Sequence, residues 1–162
     1  MEADFEWDSL SPEDIASKFE QLNGELTTAL ESAGDDIGQQ IADDYRDNVS
    51  SDTGELEDSI DYSVEVSGSE LTIFIGTDDT PKAAALEFGT APGHFPPPSE
   101  LRDWAARQLG DPDAAFPVAL SISESGLEAR EWLITAFEDN ESWAQQRLER
   151  VPGEAFAAAG FV

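Results

Sequence analysis

The chain contains no cysteine and a single histidine. Without cysteine it can form neither a disulfide nor a thiolate nucleophile, and His94 alone cannot supply the ligands of a structural zinc site. No run of 18 apolar residues occurs, and no basic segment precedes an apolar stretch. The sequence therefore predicts no membrane span and no signal peptide, and we expect a chain that is soluble and intracellular when made.

Basic residues are also scarce. Eight Lys and Arg stand against 36 Asp and Glu, which gives a formal net charge of -28. This balance disfavours ordinary nucleic-acid binding and attachment to anionic membranes, because both need clustered cations. The acids are spread along the chain in pairs such as Asp35-Asp36 and Asp43-Asp44, which is typical of a whole-surface adaptation. We expect a halophilic host, because at 1 M salt the Debye length falls to roughly 3 Å and screens the repulsion.

Two other functional classes remain as alternatives. An acidic cytoplasmic binding module, such as an inhibitor that mimics DNA, would have a similar charge. An enzyme would need a specific constellation, but no Gly-x-Ser-x-Gly elbow accompanies His94, and no phosphate-cradling Gly-rich motif is present. The many carboxylates fail to single out an acid and base pair. The sequence therefore favours a protein that is not an enzyme, with no cofactor and no metal site.

The apolar content is that of a folded protein. Hydrophobic residues make up 40% of the 162 residues and include nine Phe and four Trp. A chain of this length is expected to form one domain around one core. We predict a single domain over residues 1–162, with a flexible leader at 1–10 and a C-terminal helical extension at 141–162.

The first long element is predicted to be a helix. Ser11 provides a hydroxyl cap and Pro12 the first helical position. From there to about Asp47, apolar residues recur at steps of three and four, namely Ile15, Phe19, Leu22, Leu26, Ala29, Ala33, Ile37, Ile41 and Tyr45. Within this helix, Gly34 predicts a bend or break.

The period changes to two after Gly54. Apolar and polar residues alternate from Ile60 to Val66, and a β-branched and aromatic run follows at 71–75. The second strand is apolar on both faces, which predicts a central position in a small sheet. The fold class is therefore α+β, with a long N-terminal helix packed on a small antiparallel sheet and shorter C-terminal helices.

The elements after residue 82 are predicted from apolar periodicity and from the positions of proline and glycine. Prolines at 92, 96, 97 and 98 indicate an ordered loop over residues 91–98. Further segments follow from periodicity and glycine stops: an apolar segment at 83–88, a helix capped by Ser99 and closed by Gly110, a helix from Asp113 to Gly126, a helix or strand at 132–137, and a helix at 143–161 interrupted at Pro152-Gly153.

Two stretches carry a resemblance. They are Ser51-Asp52-Thr53-Gly54-Glu55-Leu56-Glu57-Asp58-Ser59-Ile60 and Ala83-Ala84-Ala85-Leu86-Glu87-Phe88-Gly89-Thr90. In order and spacing they resemble the signatures of the tail-completion, or head–tail joining, proteins of long-tailed phages, a family with a long N-terminal helix before both motifs. The likeness spans residues 12–140. Together with the acidity, the resemblance implies a protein of a haloarchaeal-type tailed virus.

The resemblance implies a structural virion protein at the neck or tail. Relatives assemble as a ring, typically of six subunits, between the head connector or stopper and the tail terminator or tail tube. The genome would pass through the lumen without specific binding, and no membrane would be involved. The implied location is the virion, with the host cytoplasm as the site of assembly.

The motif residues also have a physical interpretation. Asp52 and Thr53 can cap a turn, Gly54 permits positive φ, and Leu56 and Ile60 are predicted to enter the core, with Ser59 between them. The other motif residues are Glu87, Phe88, Gly89 and Thr90, where Phe88 is either an exposed subunit anchor or a buried residue before a helix-ending glycine.

The loop at 91–98 is the candidate interface segment. Proline lowers the entropy lost when a projecting arm becomes ordered. The residues of this loop that we expect at the interface are Phe95, Pro96, Pro97 and Pro98.

Overall fold

The computed structural model describes residues 11–49, 54–78 and 80–161. The motif residues Asp52 and Thr53 and the predicted leader lie outside these ranges. The elements are α1 (Pro12–Asn48), α2 (Glu55–Asp58), β1 (Ile60–Ser67), β2 (Glu70–Thr77), α3 (Thr80–Phe88), α4 (Pro98–Leu109), a short 3-10 turn (Pro112–Ala114), α5 (Ala115–Ser125) and α6 (Trp132–Ala158). This confirms the predicted α+β class, with a long N-terminal helix, a small antiparallel sheet and shorter C-terminal helices.

The chain divides into two compact units. The first is built from described residues within 1–37, 64–73 and 142–162, and the second from those within 38–63 and 74–141. Each unit has its own buried residues. Those of the first include Ala33, Ile37, Val151, Ala155 and Ala159, and those of the second include Ile41, Tyr45, Leu56, Ile60, Ala105, Ala119 and Ala136.

Helix α1 begins where the sequence predicts. The Ser11 hydroxyl accepts a hydrogen bond from the Asp14 amide at 3.1 Å, and the Asp14 carboxylate accepts one from the Ser11 amide at 3.1 Å. This reciprocal pair is a capping box. The hydrogen bonds from Ser11 lower the pKa of Asp14, because they favour its charged form.

The predicted break near Gly34 is wrong, because α1 runs unbroken to Asn48. Two glycines of this helix, Gly34 and Gly38, serve close approach instead. In the first unit a Cβ on Gly34 would lie 2.5 Å from a Val64 methyl group, and in the second unit a Cβ on Gly38 would lie 2.4 Å from the Tyr62 ring. The missing side chains therefore allow the hairpin to lie against the helix.

The hairpin is confirmed, and its strands are joined by a two-residue turn at Gly68-Ser69. In β1 the alternation is as predicted, with Asp61 and Glu65 exposed between more buried apolar residues. The central position predicted for β2 is wrong for the described residues, where the sheet has two strands and β2 therefore has one neighbour.

The C-terminal half departs from the sequence expectations at helix boundaries. Helix α4 begins at Pro98 with Pro97 in the cap position, so Ser99 is not the cap and the predicted loop ends one residue earlier. Residues 132–137 are helical, and the predicted interruption at Pro152 is wrong, because α6 continues to Ala158. Val151, Ala155 and Ala159 are buried at helical spacing, and this burial holds the helix through the proline.

No helix among the described residues is long and apolar enough to cross a membrane.

Candidate assembly surface

The Gly54 turn is the first site that the sequence indicates. Gly54 has φ 79°, as predicted, and its carbonyl accepts a hydrogen bond from the Asp58 amide at 2.8 Å. Leu56 and Ile60 are 2% and 3% exposed, which confirms their place in the core. The Ser59 hydroxyl donates to the Leu56 carbonyl at 2.8 Å. These contacts give the described part of the motif a structural role at the start of β1.

This turn is also joined to both strands and to α1. The Ser59 hydroxyl forms a short contact with the Thr77 hydroxyl at the end of β2. The Arg46 guanidinium donates to the Ile60 carbonyl at 2.6 Å and to the Asp43 carboxylate at 2.6 Å. Arg46 therefore connects α1 to the first residue of β1.

Glu87 is the residue whose role the sequence did not reveal. It is only 4% exposed, and its carboxylate accepts hydrogen bonds from the backbone amides of Leu133, at 3.0 and 3.2 Å, and of Ile134, at 3.1 Å. These amides belong to the first turn of α6, where helical N–H groups have no partner within the helix. Glu87 therefore caps α6 from a distant part of the chain, and its charge opposes the positive end of the helix dipole.

The backbone around Glu87 is also held by hydrogen bonds. Its carbonyl accepts from the Glu131 amide at 3.2 Å, and the Leu86 carbonyl accepts from the Arg130 amide at 2.9 Å. Burial raises the pKa of Tyr45, and the negative charge of Glu87 raises it further. Glu87 thus connects α3 to α6, and its charge also acts on the buried Tyr45.

Gly89 and Thr90 bind the segment before α6. The Thr90 amide donates to the Leu127 carbonyl at 2.9 Å, and the Leu127 amide donates to the Thr90 carbonyl at 3.1 Å. Gly89 has φ 68°, and a Cβ there would lie 2.4 Å from the Leu127 carbonyl oxygen. Gly126 has φ 77°, and its Cβ would lie 2.0 Å from the Thr90 carbonyl oxygen. Both positions therefore require glycine for conformation and for space.

Phe88 differs from its three motif neighbours. Its side chain is 71% exposed, although Glu87 before it and Thr90 after it are held by the hydrogen bonds just described. The alternative of a buried Phe88 is therefore wrong, whereas a helix-ending Gly89 is confirmed. In the first turns of α6, Ile134 and Phe137 are 40% and 57% exposed. We call these three side chains the α3–α6 apolar residues.

The proline-rich loop is held at two points. The Gly93 amide donates to the Ser123 carbonyl at 2.8 Å, and the Phe95 ring meets the Phe116 ring edge-on with centroids 6.0 Å apart. Phe95 is 42% and Phe116 58% exposed. The loop therefore lies along α5 and presents an aromatic pair, while Pro98 belongs to α4.

The described residues offer little that resembles a reaction centre. They contain no group of three or more His, Asp and Glu placed to hold a metal ion. An open hollow of about 280 Å³ lies beside the hairpin and is lined by Asp61, Tyr62, Phe74 and Asp78, among others. The described lining holds the carboxylates of Asp61 and Asp78 and the phenol of Tyr62, with neither a histidine nor a lysine beside them.

Part of the chain is similar to a known family. Residues 13–89, just under half of the chain, match the HK97-gp10-like family model, which is described as "Bacteriophage HK97-gp10, putative tail-component". The matched segment covers α1 from its second residue, the hairpin and α3, and it ends at Gly89. No curated protein and no solved structure matches the chain significantly. The family match supports a role as a component of a phage tail.

Proposed function

We propose that this chain is a structural virion protein of a tailed virus and that it forms a ring joining the head connector to the tail tube. The observation that carries the proposal is the exposure of Phe88 at the end of the segment that matches the phage tail-component family. The implied activity is mechanical and involves no enzymatic step.

Burial of the exposed Phe88 ring against another surface would be energetically favourable. Burying a Phe side chain in a contact contributes about 1.5–3 kcal/mol. Glu87 and Gly89 fix the backbone on both sides of Phe88. Little conformational entropy is then lost on association, so the α3–α6 apolar residues suit a subunit interface.

A ring requires two different contacting surfaces on each subunit. A head-to-tail contact that closes after a full rotation produces a cyclic assembly, and six copies is the number that the resemblance implies. We place the α3–α6 apolar residues on one side of this contact. The Phe95–Phe116 pair, with Pro96 and Pro97, is the candidate for a second contact, either with the next subunit or with a neighbouring neck protein such as the stopper or tail terminator.

The charge fits a passage for DNA in a halophilic host. Carboxylates that face a lumen repel phosphates, so the genome can pass without binding. Molar salt in the host cytoplasm would screen the repulsion between subunits of net charge -28. Assembly would take place there, and the finished protein would reside in the virion.

Particle composition tests the proposal directly. We expect the protein in purified virions, with antibody label at the junction of head and tail, and its absence from intact particles would refute the proposal. Phe88→Ser should lower incorporation strongly, whereas Leu109→Ser should leave it near the wild-type level. Leu109 is a matched control, because it is 52% exposed but lies outside the family match.

The acidic charge also supports a second candidate, a cytoplasmic binding module that mimics DNA. Such a module would displace DNA from a DNA-binding protein in a competition assay, would be missing from particles, and would not depend on Phe88.

A further inference from the structure

The open hollow beside the hairpin is formed around a glycine. The two-residue turn between β1 and β2 sets Asp61 opposite Gly76, and on that face of β2 Gly76 stands between Phe74 and Asp78. A Cβ on Gly76 would meet nothing within 4 Å. The missing side chain therefore leaves a gap between the Phe74 ring and the two carboxylates, and we call this gap the hairpin hollow.

The hairpin hollow lies on the face of the hairpin that is turned away from α1. The Tyr62 ring lies against α1 at Gly38, so its neighbours Asp61 and Ser63 are on the opposite face. Phe74, which lines the hollow, is 55% exposed. The hollow is therefore accessible to a side chain from another molecule.

The chemistry of the hairpin hollow suits a guanidinium group. A cation is attracted to the face of an aromatic ring such as Phe74, and the planar fork of arginine can stack on a ring while it binds carboxylates. One oxygen of Asp61 accepts from the Tyr62 amide at 2.8 Å. Among the described residues, neither Asp61 nor Asp78 has an ion pair. Both carboxylates can therefore bind an incoming cation.

Few cations of this chain are left to fill such a site. Six of the eight Lys and Arg have an interaction within the chain, namely Lys18, Arg46, Lys82, Arg102, Arg107 and Arg147. The other two, Arg130 and Arg150, are exposed, and in the part of the chain that the structure describes their guanidinium groups have no ion pair, hydrogen bond or ring contact. These two arginines are the candidates for a contact between copies.

Arg130 is fixed beside the segment that exposes Phe88. Its amide donates to the Leu86 carbonyl at 2.9 Å, and the Glu131 amide donates to the Glu87 carbonyl at 3.2 Å. Glu131 has φ 53°, a conformation that is uncommon for a residue other than glycine. These hydrogen bonds hold the backbone of Arg130 along α3, so an exposed cation and an exposed aromatic belong to the same surface.

We propose that Arg130 of one subunit inserts its guanidinium into the hairpin hollow of the next subunit, against Phe74 and between Asp61 and Asp78. The inference deepens the proposed ring and rests on it, because it supplies the second surface of the contact that the α3–α6 apolar residues begin. The two surfaces lie on different elements of the chain. The contact is therefore head-to-tail, and its repetition around an axis closes a ring.

Charge complementarity favours a second copy as the occupant. In a protein with 36 acids and eight cations, most contacts between copies bring carboxylates together. An exposed arginine without a partner and a hollow with two carboxylates are complementary, although the exposed Glu128 and Glu131 flank Arg130 in sequence. A guanidinium–carboxylate hydrogen bond is about 2.7–2.9 Å long, which is within the Debye length of roughly 3 Å at 1 M salt. Molar KCl therefore screens the distant acids more than the pair itself, and association should strengthen as KCl is raised.

Removal of the guanidinium tests the contact from one side. In sedimentation equilibrium in molar KCl, Arg130→Gln should weaken self-association of the full-length protein at least about tenfold. Arg150→Gln is the matched control, because it removes the same charge from an exposed arginine that also has no partner in the described structure. It should associate like the wild type. Equal weakening by both variants would assign the effect to net charge and overturn the proposal.

Filling the hairpin hollow tests the contact from the other side. Gly76→Val would occupy the gap, and Gly76 has no positive φ, so valine suits its place in the strand. We expect self-association to weaken at least about tenfold while the midpoint of thermal unfolding is not lowered. Thr72→Val is the control, because Thr72 lies on the same face of β2 outside the lining of the hollow. If Gly76→Val assembles like the wild type, the hollow is not the binding site.

A charge exchange tests whether the two surfaces meet each other. Arg130→Asp and Asp78→Arg should each weaken self-association, and the two changes in one chain should restore most of it, because the pair is then rebuilt with its charges reversed. An absence of any restoration would overturn the pairing.

The outcome for this contact is separate from the outcome for the proposed function. If the variants of Arg130 and Gly76 assemble like the wild type while the protein is present in virions, the contact is wrong and the function stands. A wild-type protein that stays monomeric at every salt concentration would also overturn the contact. Absence from purified virions refutes the function, whatever the variants do in solution.

Discussion

Glu87 binds the backbone amide of Leu133 through both oxygens of its carboxylate, at 3.0 and 3.2 Å. The two residues are 46 positions apart, so a side chain at the end of α3 caps the start of α6. The same carboxylate reaches the Ile134 amide. The motif in which Glu87 stands therefore organises the fold in addition to exposing Phe88.

Removing the charge of Glu87 should destabilise the protein. Glu87→Gln keeps the shape of the side chain but loses a charge-assisted bond and the interaction with the helix dipole, so we expect a loss of about 1–2 kcal/mol. Urea unfolding in molar KCl measures the free energy. Glu128→Gln is the control, because Glu128 is exposed, and it should change stability little. Equal effects of both variants would contradict the capping role.

Gly89 should tolerate no side chain. Gly89→Ala combines a positive φ with a Cβ only 2.4 Å from the Leu127 carbonyl oxygen, so we expect a loss of at least about 2 kcal/mol. Gly153→Ala gives the opposite expectation, because Gly153 lies inside α6 and its Cβ would meet nothing within 4 Å. That variant should gain about 0.5–1 kcal/mol from helix propensity. Thermal and urea unfolding of the two variants provide the comparison.

The raised pKa of Tyr45 predicts a loss of stability at alkaline pH. The folded chain holds the phenol proton more tightly than the unfolded chain, whose tyrosine titrates near 10. The contribution of Tyr45 is therefore complete below pH 10 and is lost as the pH rises above 10 through the folded pKa. The free energy of unfolding should fall more steeply in this range for the wild type than for Tyr45→Phe. Identical slopes would show that Tyr45 titrates normally.

Arg147 should matter most when salt is low. Its guanidinium donates to the Asp36 carboxylate at 2.6 Å and to the Glu154 carboxylate at 3.2 Å, and only 11% of its side chain is exposed. Its pKa is raised, first by the hydrogen bond to Asp36 and, against the opposing effect of burial, also by the charges of both acids. Arg147→Met removes one of eight Lys and Arg. We expect a loss of thermal stability that shrinks as KCl increases, because salt screens the repulsion left among the acids.

An exposed arginine provides the comparison for Arg147. Arg102 pairs with Asp113 at 3.6 Å, and both side chains are more than half exposed. Arg102→Met should cost little at any salt concentration, because exposed pairs contribute about 0–1 kcal/mol. A similar loss for both variants would mean that net charge alone explains the effect.

Local sequence patterns predicted the elements well where period and caps agree. Ser11 and Pro12 marked the start of α1, and the alternation from Ile60 marked the hairpin. They failed where packing overrides propensity. Gly34 suggested a break, but its missing side chain lets Val64 approach, and Pro152 suggested an interruption, but buried neighbours hold α6 together.

The candidate site shows the same limit. The motif from Glu87 to Thr90 could be found in sequence, but nothing local indicated that Glu87 is buried or that Phe88 is exposed. Those properties depend on Leu127 and Leu133, which belong to a distant segment of the chain. Burial at such a position follows from tertiary contacts, which a period of two or 3.6 does not encode.

The separation between Glu87 and Leu133 also affects the order of folding. A contact between residues this far apart forms late, because the entropy of closing the intervening loop is lost before the contact contributes. The backbone around Phe88 is therefore fixed only after α4, α5 and the start of α6 have taken their places. During synthesis the ribosome must therefore pass Leu133 before the backbone around Phe88 can be fixed.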